Sequence, residues 1–73
     1  MSATEVERLD TRLNSLHAQL HAAQQELKGI QVTTVPGDDQ RPLINAELTV
    51  EDLQAQIVEA ETALVAARRE AAS

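Results

Sequence analysis

The chain has 73 residues, a formal net charge of −6, no cysteine and no aromatic side chain. This length allows one domain with a small core, and the missing cysteines exclude a disulfide framework and a thiolate metal site. Because six basic residues are scattered among twelve acidic ones, we expect no nucleic-acid binding.

The first predicted element is a helix over residues 3–28. Ser2 and Glu5 form an N-terminal capping signal, and Gly29 predicts the end of the helix because glycine readily takes the left-handed conformation. Apolar residues recur at alternating steps of three and four, which is the spacing of a coiled-coil seam. They are Val6, Leu9, Leu13, Leu16, Leu20, Ala23 and Leu27.

The centre of the chain, residues 29–48, is predicted to be a short β-hairpin or an irregular loop. Pro36, Gly37 and Pro42 interrupt the helical pattern, and β-branched residues before them are typical of a strand. A two-stranded ribbon is marginal alone, so we expect its apolar residues to pair with another subunit or a partner protein. These predicted interface residues are Ile30, Val32, Val35 and Ile44.

The second predicted helix covers residues 50–72, with Thr49 as its N-cap and Leu48 placed to pack on Leu53. Its apolar ladder is Val50, Leu53, Ile57, Ala60, Leu64, Ala67 and Ala71. The two ladders predict an antiparallel two-helix coiled-coil hairpin, a single helical-hairpin domain over residues 1–73, in which Leu16 faces Leu64. The large residues of the predicted seam are Leu9, Leu13, Leu16, Leu20, Leu27, Leu53, Ile57 and Leu64.

Two side-chain pairs lie outside this seam. Val58 and Val65, seven residues apart, widen the apolar side of the second helix beyond what one partner helix covers, which indicates an interface, although single exposed valines are also common. His17 and His21 have the i, i+4 spacing of metal ligands, but a third ligand could come only from Glu61 across the seam or from a second copy. We therefore expect no metal and interpret both histidines as solvated.

The order helix, β-hairpin, helix resembles prefoldin subunits, whose hairpins form a platform that carries coiled coils. The sequence predicts a small structural or assembly protein that forms a homodimer or higher oligomer and binds other protein. The alternative is a prefoldin-like holdase, or an acidic inhibitor or adaptor of a transient protein partner. A seam of Leu and Ala offers no catalytic pocket, so we expect neither enzymatic activity nor a cofactor.

The location of the protein is predicted from absent signals. No apolar run approaches the roughly 20 residues that span a bilayer, and the N-terminus lacks the basic start and apolar core of a signal peptide. Arg is used more than Lys and Ala is frequent, which is typical of GC-rich bacterial or phage genomes. We expect a cytoplasmic protein without membrane contact, or a component of a virion or similar assembly if it is phage-encoded.

Overall fold

The chain folds as two long α-helices that lie side by side. The computed structural model describes residues 2–72, with helix α1 at Ser2–Thr33 and helix α2 at Arg41–Ala72, each of 32 residues. The whole molecule measures 58 × 14 × 12 Å, and a helix of this length extends about 48 Å. The helices therefore run alongside each other for nearly their full length, and the predicted helical hairpin is confirmed.

The predicted β-hairpin is wrong, since the described residues 2–72 contain no strand. Residues 30–33 belong to α1 and residues 41–48 belong to α2. Helix α1 passes through Gly29, and Thr49 lies inside α2, where its hydroxyl donates to the carbonyl of Asn45 at 3.0 Å. Thr49 is therefore not an N-cap. The capping contact predicted for Ser2 lies outside the side chains that the structure describes.

Helix α1 continues past Gly29 because the apolar ladder continues. Ile30 follows Leu27 by three residues and Thr34 follows Ile30 by four, and all three side chains are half-buried. This burial offsets the cost of glycine inside a helix, which is about 1 kcal/mol. Two threonine hydroxyls add donors at the helix end, from Thr33 to the Gly29 carbonyl at 3.0 Å and from Thr34 to the Ile30 carbonyl at 2.7 Å.

Helix α2 begins before the position that the sequence predicted because Pro42 lies in its first turn. The first backbone N–H groups of a helix have no partner within it, so a proline there removes no hydrogen bond. The N–H of Ile44 donates to the Gln40 carbonyl at 3.0 Å, and the N–H of Arg41 donates to the Asp39 carboxylate at 3.0 Å. Asp39 thus supplies the N-terminal acceptor that had been assigned to Thr49.

The connection between the helices is a tight loop over residues 34–40. Pro36 and Gly37 occupy the central positions of a turn in which the Asp38 N–H donates to the Val35 carbonyl at 3.1 Å. Gly37 has a φ of 96°, as the third residue of a type II turn requires. Seven residues are within the usual range for joining two helices, so no excess of chain remains here to serve another purpose.

The core is the seam between the helices. Its buried members are Leu13, Leu16, Val50, Leu53, Ile57, Ala60, Leu64 and Ala67. Val6, Leu9, Leu20 and Ala23 pack against them while partly exposed, and Leu27 is half-buried. Ala71, which the sequence placed in the seam, is exposed.

The pairing of the two ladders differs from the prediction by one heptad. Because the loop spans only residues 34–40, Ile30 of α1 comes opposite Leu43 of α2, and counting outward along both ladders sets Leu16 opposite Ile57. A groove near the loop lined by both Ala23 and Thr49 agrees with this alignment. The predicted alignment assumed a longer central segment, and helical residues 30–33 and 41–48 remove that segment.

The revised alignment combines layers of two large residues with layers of one large residue and one alanine. Leu9 faces Leu64, whereas Leu13 faces Ala60, and no layer sets alanine on alanine. Ala67 is 5% exposed because it faces Val6 at the open end of the hairpin. Layers of complementary size fill the interior without voids, which is how protein cores reach their close packing.

Candidate functional site

A second apolar surface runs along α2. Four large side chains of this helix are exposed, namely Ile44 at 51%, Leu48 at 55%, Val58 at 62% and Val65 at 48%. They occupy two heptad positions that lie about 150° around the helix from the seam positions, at 3.6 residues per turn. The surface therefore faces away from α1.

We call this surface the outer stripe and define it by the residues at these two heptad positions. They are Ile44, Leu48, Glu51, Ala55, Val58, Thr62, Val65 and Arg69. All eight are exposed, and they follow one another in steps of four and three, the same spacing as the seam. From Ile44 to Val65 the outer stripe extends about 32 Å. The outer stripe thus repeats the heptad spacing of the seam on the opposite side of α2.

Helix α1 has no such surface. Its corresponding positions, facing away from α2, are mostly polar, and all are exposed. They are Thr4, Glu7, Thr11, Asn14, Ala18, His21, Gln25, Lys28 and Val32, of which only Val32, 77% exposed, is a large apolar residue. The outward-facing residues are exposed on both helices, but only on α2 are most of them apolar.

The predicted interface residues fall in different places. Val58, Val65 and Ile44 belong to the outer stripe, whereas Ile30 is half-buried in the seam. Val32 is 77% exposed on the far side of α1, and Val35 is 54% exposed in the loop. Val32 and Ile44 therefore do not face each other, because the predicted pairing of strands does not occur.

The outer stripe contains one large residue that the sequence interpretation missed. Leu48 was assigned to the start of a helix, as a partner for Leu53, so its relation to Val58 was not considered. The signal was present, because Leu48, Ala55 and Thr62 recur every seven residues beside Ile44, Val58 and Val65. Recognising it required α2 to begin before Leu48.

The two histidines lie on α1 and are both exposed. His21 is on the polar side of α1 that faces away from α2, and His17 is four residues before it. Among the described residues, no group of three His, Cys, Asp or Glu side chains is placed to hold a metal ion. The pair offers two ligands at most, and a stable metal site requires three or four.

An open groove between the helices lies near the loop and holds about 290 Å³. Its walls come from Ala23, Glu26, Ile30, Pro42, Asn45, Ala46 and Thr49. One carboxylate, one amide and one hydroxyl accompany four apolar residues, and this set lacks a nucleophile paired with a base. The groove is a gap between adjacent helices where Ala23 and Ala46 leave space.

Comparison with known proteins adds no assignment. No protein-family model, no curated protein and no solved structure matches this chain. Within residues 2–72, neither helix has an apolar stretch long enough to cross a bilayer.

Proposed function

We propose that this protein is a small structural or assembly protein that associates with itself through the outer stripe of α2. The outer stripe carries the proposal, since five of its eight residues are apolar and exposed, at coiled-coil spacing, on a helix that already packs against α1. Single exposed apolar residues are ordinary. An ordered row of them over about 32 Å is the pattern by which helices recognise other helices.

The small size of the core supports association. The seam relies on Leu, Ile, Val and Ala, without aromatic side chains, and short chains of this kind gain little stability from one core. Val58 and Val65 lie outside the seam and remain exposed, so their apolar surface does not contribute to the core of the hairpin. Covering them with a second helix adds apolar burial that the hairpin alone does not have.

The alternatives differ in what supports them. A prefoldin-like holdase depended on a central β-hairpin, and the described residues form none. An adaptor that receives a helix of another protein would use the same outer stripe. Self-association is the stronger proposal because, when two copies of α2 run antiparallel, Leu48 of one copy can face Val65 of the other and Glu47 can lie beside Arg68.

The test is the mass of the protein in solution. We expect sedimentation at micromolar concentration to show an oligomer, and Val58→Gln with Val65→Gln to shift it to monomer. Glutamine carries no charge and favours helix more than valine does, so a loss of association is not a loss of helix. Circular dichroism of the diluted variant checks that the hairpin remains folded.

The matched control is Asn14→Gln with His21→Gln on the polar side of α1. These positions have the same heptad position and the same seven-residue spacing as Val58 and Val65, so this variant should associate as the parent does. A parent protein that is monomeric at micromolar concentration, and equally so in both variants, would refute self-association. A parent that is monomeric but binds a single protein through Val58 would support the adaptor instead.

A further inference from the structure

We infer that the outer stripe pairs with the outer stripe of a second copy in the antiparallel direction, with Leu48 opposite Val65 of that copy. This inference rests on the proposed function and names the partner and its orientation. It follows from three properties of the described residues: the order of large and small side chains along the outer stripe, the charges beside it, and the polar side of α1.

The order of side chains matches its own reverse. When two copies run antiparallel, the first residue of the outer stripe, Ile44, meets the last, Arg69. Leu48 then meets Val65, and Ala55 meets Val58. Large meets large where Leu48 faces Val65, small meets large where Ala55 faces Val58, and Ile44 lies beside the long side chain of Arg69. Glu51 then meets Thr62, whose hydroxyl is a neutral polar neighbour.

The charges disfavour the parallel arrangement. In parallel pairing each residue meets its own copy, so Glu51 would face Glu51 and Arg69 would face Arg69 across the interface. Glu47 would also come beside Asp52. Like charges that face each other are destabilising, and the parallel arrangement has no attractive pair beside the outer stripe to compensate.

Antiparallel pairing brings opposite charges together. Glu47 lies beside Arg68 of the second copy, and the two-fold symmetry of the pair repeats this contact at the other end. The same symmetry also repeats the one like-charged flanking pair, Asp52 with Glu59, so the attractive and repulsive flanking contacts are equal in number. The comparison with the parallel arrangement still favours antiparallel, because only that arrangement brings the basic end of α2 to its acidic first half.

The polar side of α1 limits the assembly to two copies. In the antiparallel dimer the four helices form a nearly flat row with the two α2 helices in the centre, because seam and outer stripe are about 150° apart. The edges of this row are the sides of α1 that carry Glu7, Asn14 and His21. These sides offer no apolar ladder for a third copy, so the interface is closed.

Cysteine crosslinking of the full chain tests the orientation, and the absence of native cysteine makes single substitutions unambiguous. We expect a mixture of Leu48→Cys and Val65→Cys proteins to form a disulfide between the two variants on mild oxidation. Neither variant alone should crosslink, because antiparallel pairing separates Leu48 from its own copy by about 25 Å. Sedimentation should give twice the chain mass of 7.9 kDa.

The outcomes separate this inference from the proposed function. Efficient crosslinking of Leu48→Cys alone would show parallel pairing, which overturns the inference and retains self-association. A dimer that crosslinks in neither the mixture nor the single variants would show that another surface associates, and it also overturns the inference. If the parent and all variants were monomers, both the antiparallel pairing and the proposed self-association would be refuted. Asn14→Cys mixed with His21→Cys is the matched control on α1, and we expect no crosslink from it.

Discussion

The guanidinium of Arg41 binds the carboxylate of Asp39 through two parallel hydrogen bonds, from Nε to Oδ1 at 3.0 Å and from Nη2 to Oδ2 at 2.8 Å. The side-chain hydrogen bonds from Arg41, and next the backbone N–H of the same residue, lower the pKa of Asp39. The same pairing raises the pKa of Arg41. Both side chains are well exposed, so solvent screens the pair and its contribution to stability is small.

The lowered pKa of Asp39 predicts a specific dependence of stability on pH. A carboxylate with a depressed pKa in the folded state stabilises that state fully above its unfolded pKa, which is about 3.9. The contribution is lost as pH falls through the folded pKa. We expect Asp39→Asn to lower the melting temperature at neutral pH and the difference from the parent to shrink below about pH 4.

Arg41→Gln provides the control for this prediction. Without the guanidinium, Asp39→Asn should change the melting temperature less than it does in the parent. The measurement is thermal unfolding by circular dichroism from neutral to acidic pH for the four proteins of the cycle. An effect of Asp39→Asn that is equal in both backgrounds, or independent of pH, would contradict the assignment of the pair.

Gly29 and Gly37 provide opposite predictions for the same substitution. Gly29 lies inside α1 with open space where a Cβ would be placed, so Gly29→Ala should raise the free energy of unfolding by about 0.5–1 kcal/mol. Gly37 has a φ of 96°, which alanine adopts with strain, so Gly37→Ala should lower it by about 1 kcal/mol. Urea unfolding measures both. A destabilising Gly29→Ala would mean that α1 ends at that residue.

The two sides of α2 should respond differently to truncation. Ile57 is 6% exposed in the seam, and its neighbour Val58 is 62% exposed. We expect Ile57→Ala to cost about 2–5 kcal/mol of unfolding free energy and Val58→Ala to change it by less than about 0.5 kcal/mol. The measurement is made below the concentration at which the chain associates. Equal costs for the two variants would place the seam elsewhere on the helix.

The alignment of the seam can be tested within one chain. Counting outward from the loop sets Leu64 opposite Leu9, whereas the sequence predicts Leu16, which is about 10 Å farther along α1. We expect a chain with Leu9→Cys and Leu64→Cys to form an internal disulfide, and a chain with Leu16→Cys and Leu64→Cys to form little. Migration on a non-reducing gel distinguishes the two. The reverse result would restore the alignment predicted from the sequence.

The ladders alone predicted two helices in antiparallel contact, because leucines at steps of three and four leave few other structures. The predicted ends of the helices next to the loop were wrong because local sequence preferences were given too much weight. β-Branched residues between Ile30 and Val35 favour strands only weakly, and tertiary burial overrides such preferences. Pro42 was interpreted as interrupting a helix, although the first turn of a helix accepts proline. Following the ladder through Ile30 and Leu43 would have given the observed bounds.

The outer stripe could be predicted only in part. Val58 and Val65 were identified because they lie beside an established helical ladder, seven residues apart. Leu48 and Ile44 were assigned to other elements, so the sequence indicated two residues where the outer stripe has five apolar ones, with Glu51 and Thr62 between them. Ile44 and Leu48 were both misassigned because the loop was predicted to be longer than it is. A longer loop shortens α2, and the length of α2 determines how far the outer stripe can extend.

The hairpin topology sets residues 2 and 72 at the same end of the rod, opposite the loop. A tensile load applied between these two residues pulls the helices apart sideways, so it opens the layers one at a time, beginning with Val6 and Ala67. At each step the force separates only one layer of the seam, so the force needed is low. A load applied between residue 2 and Gly37 instead acts along the helix axis and opposes the whole length of α1. We therefore expect the hairpin to open at a lower force when it is pulled between residues 2 and 72 than when it is pulled between residue 2 and Gly37.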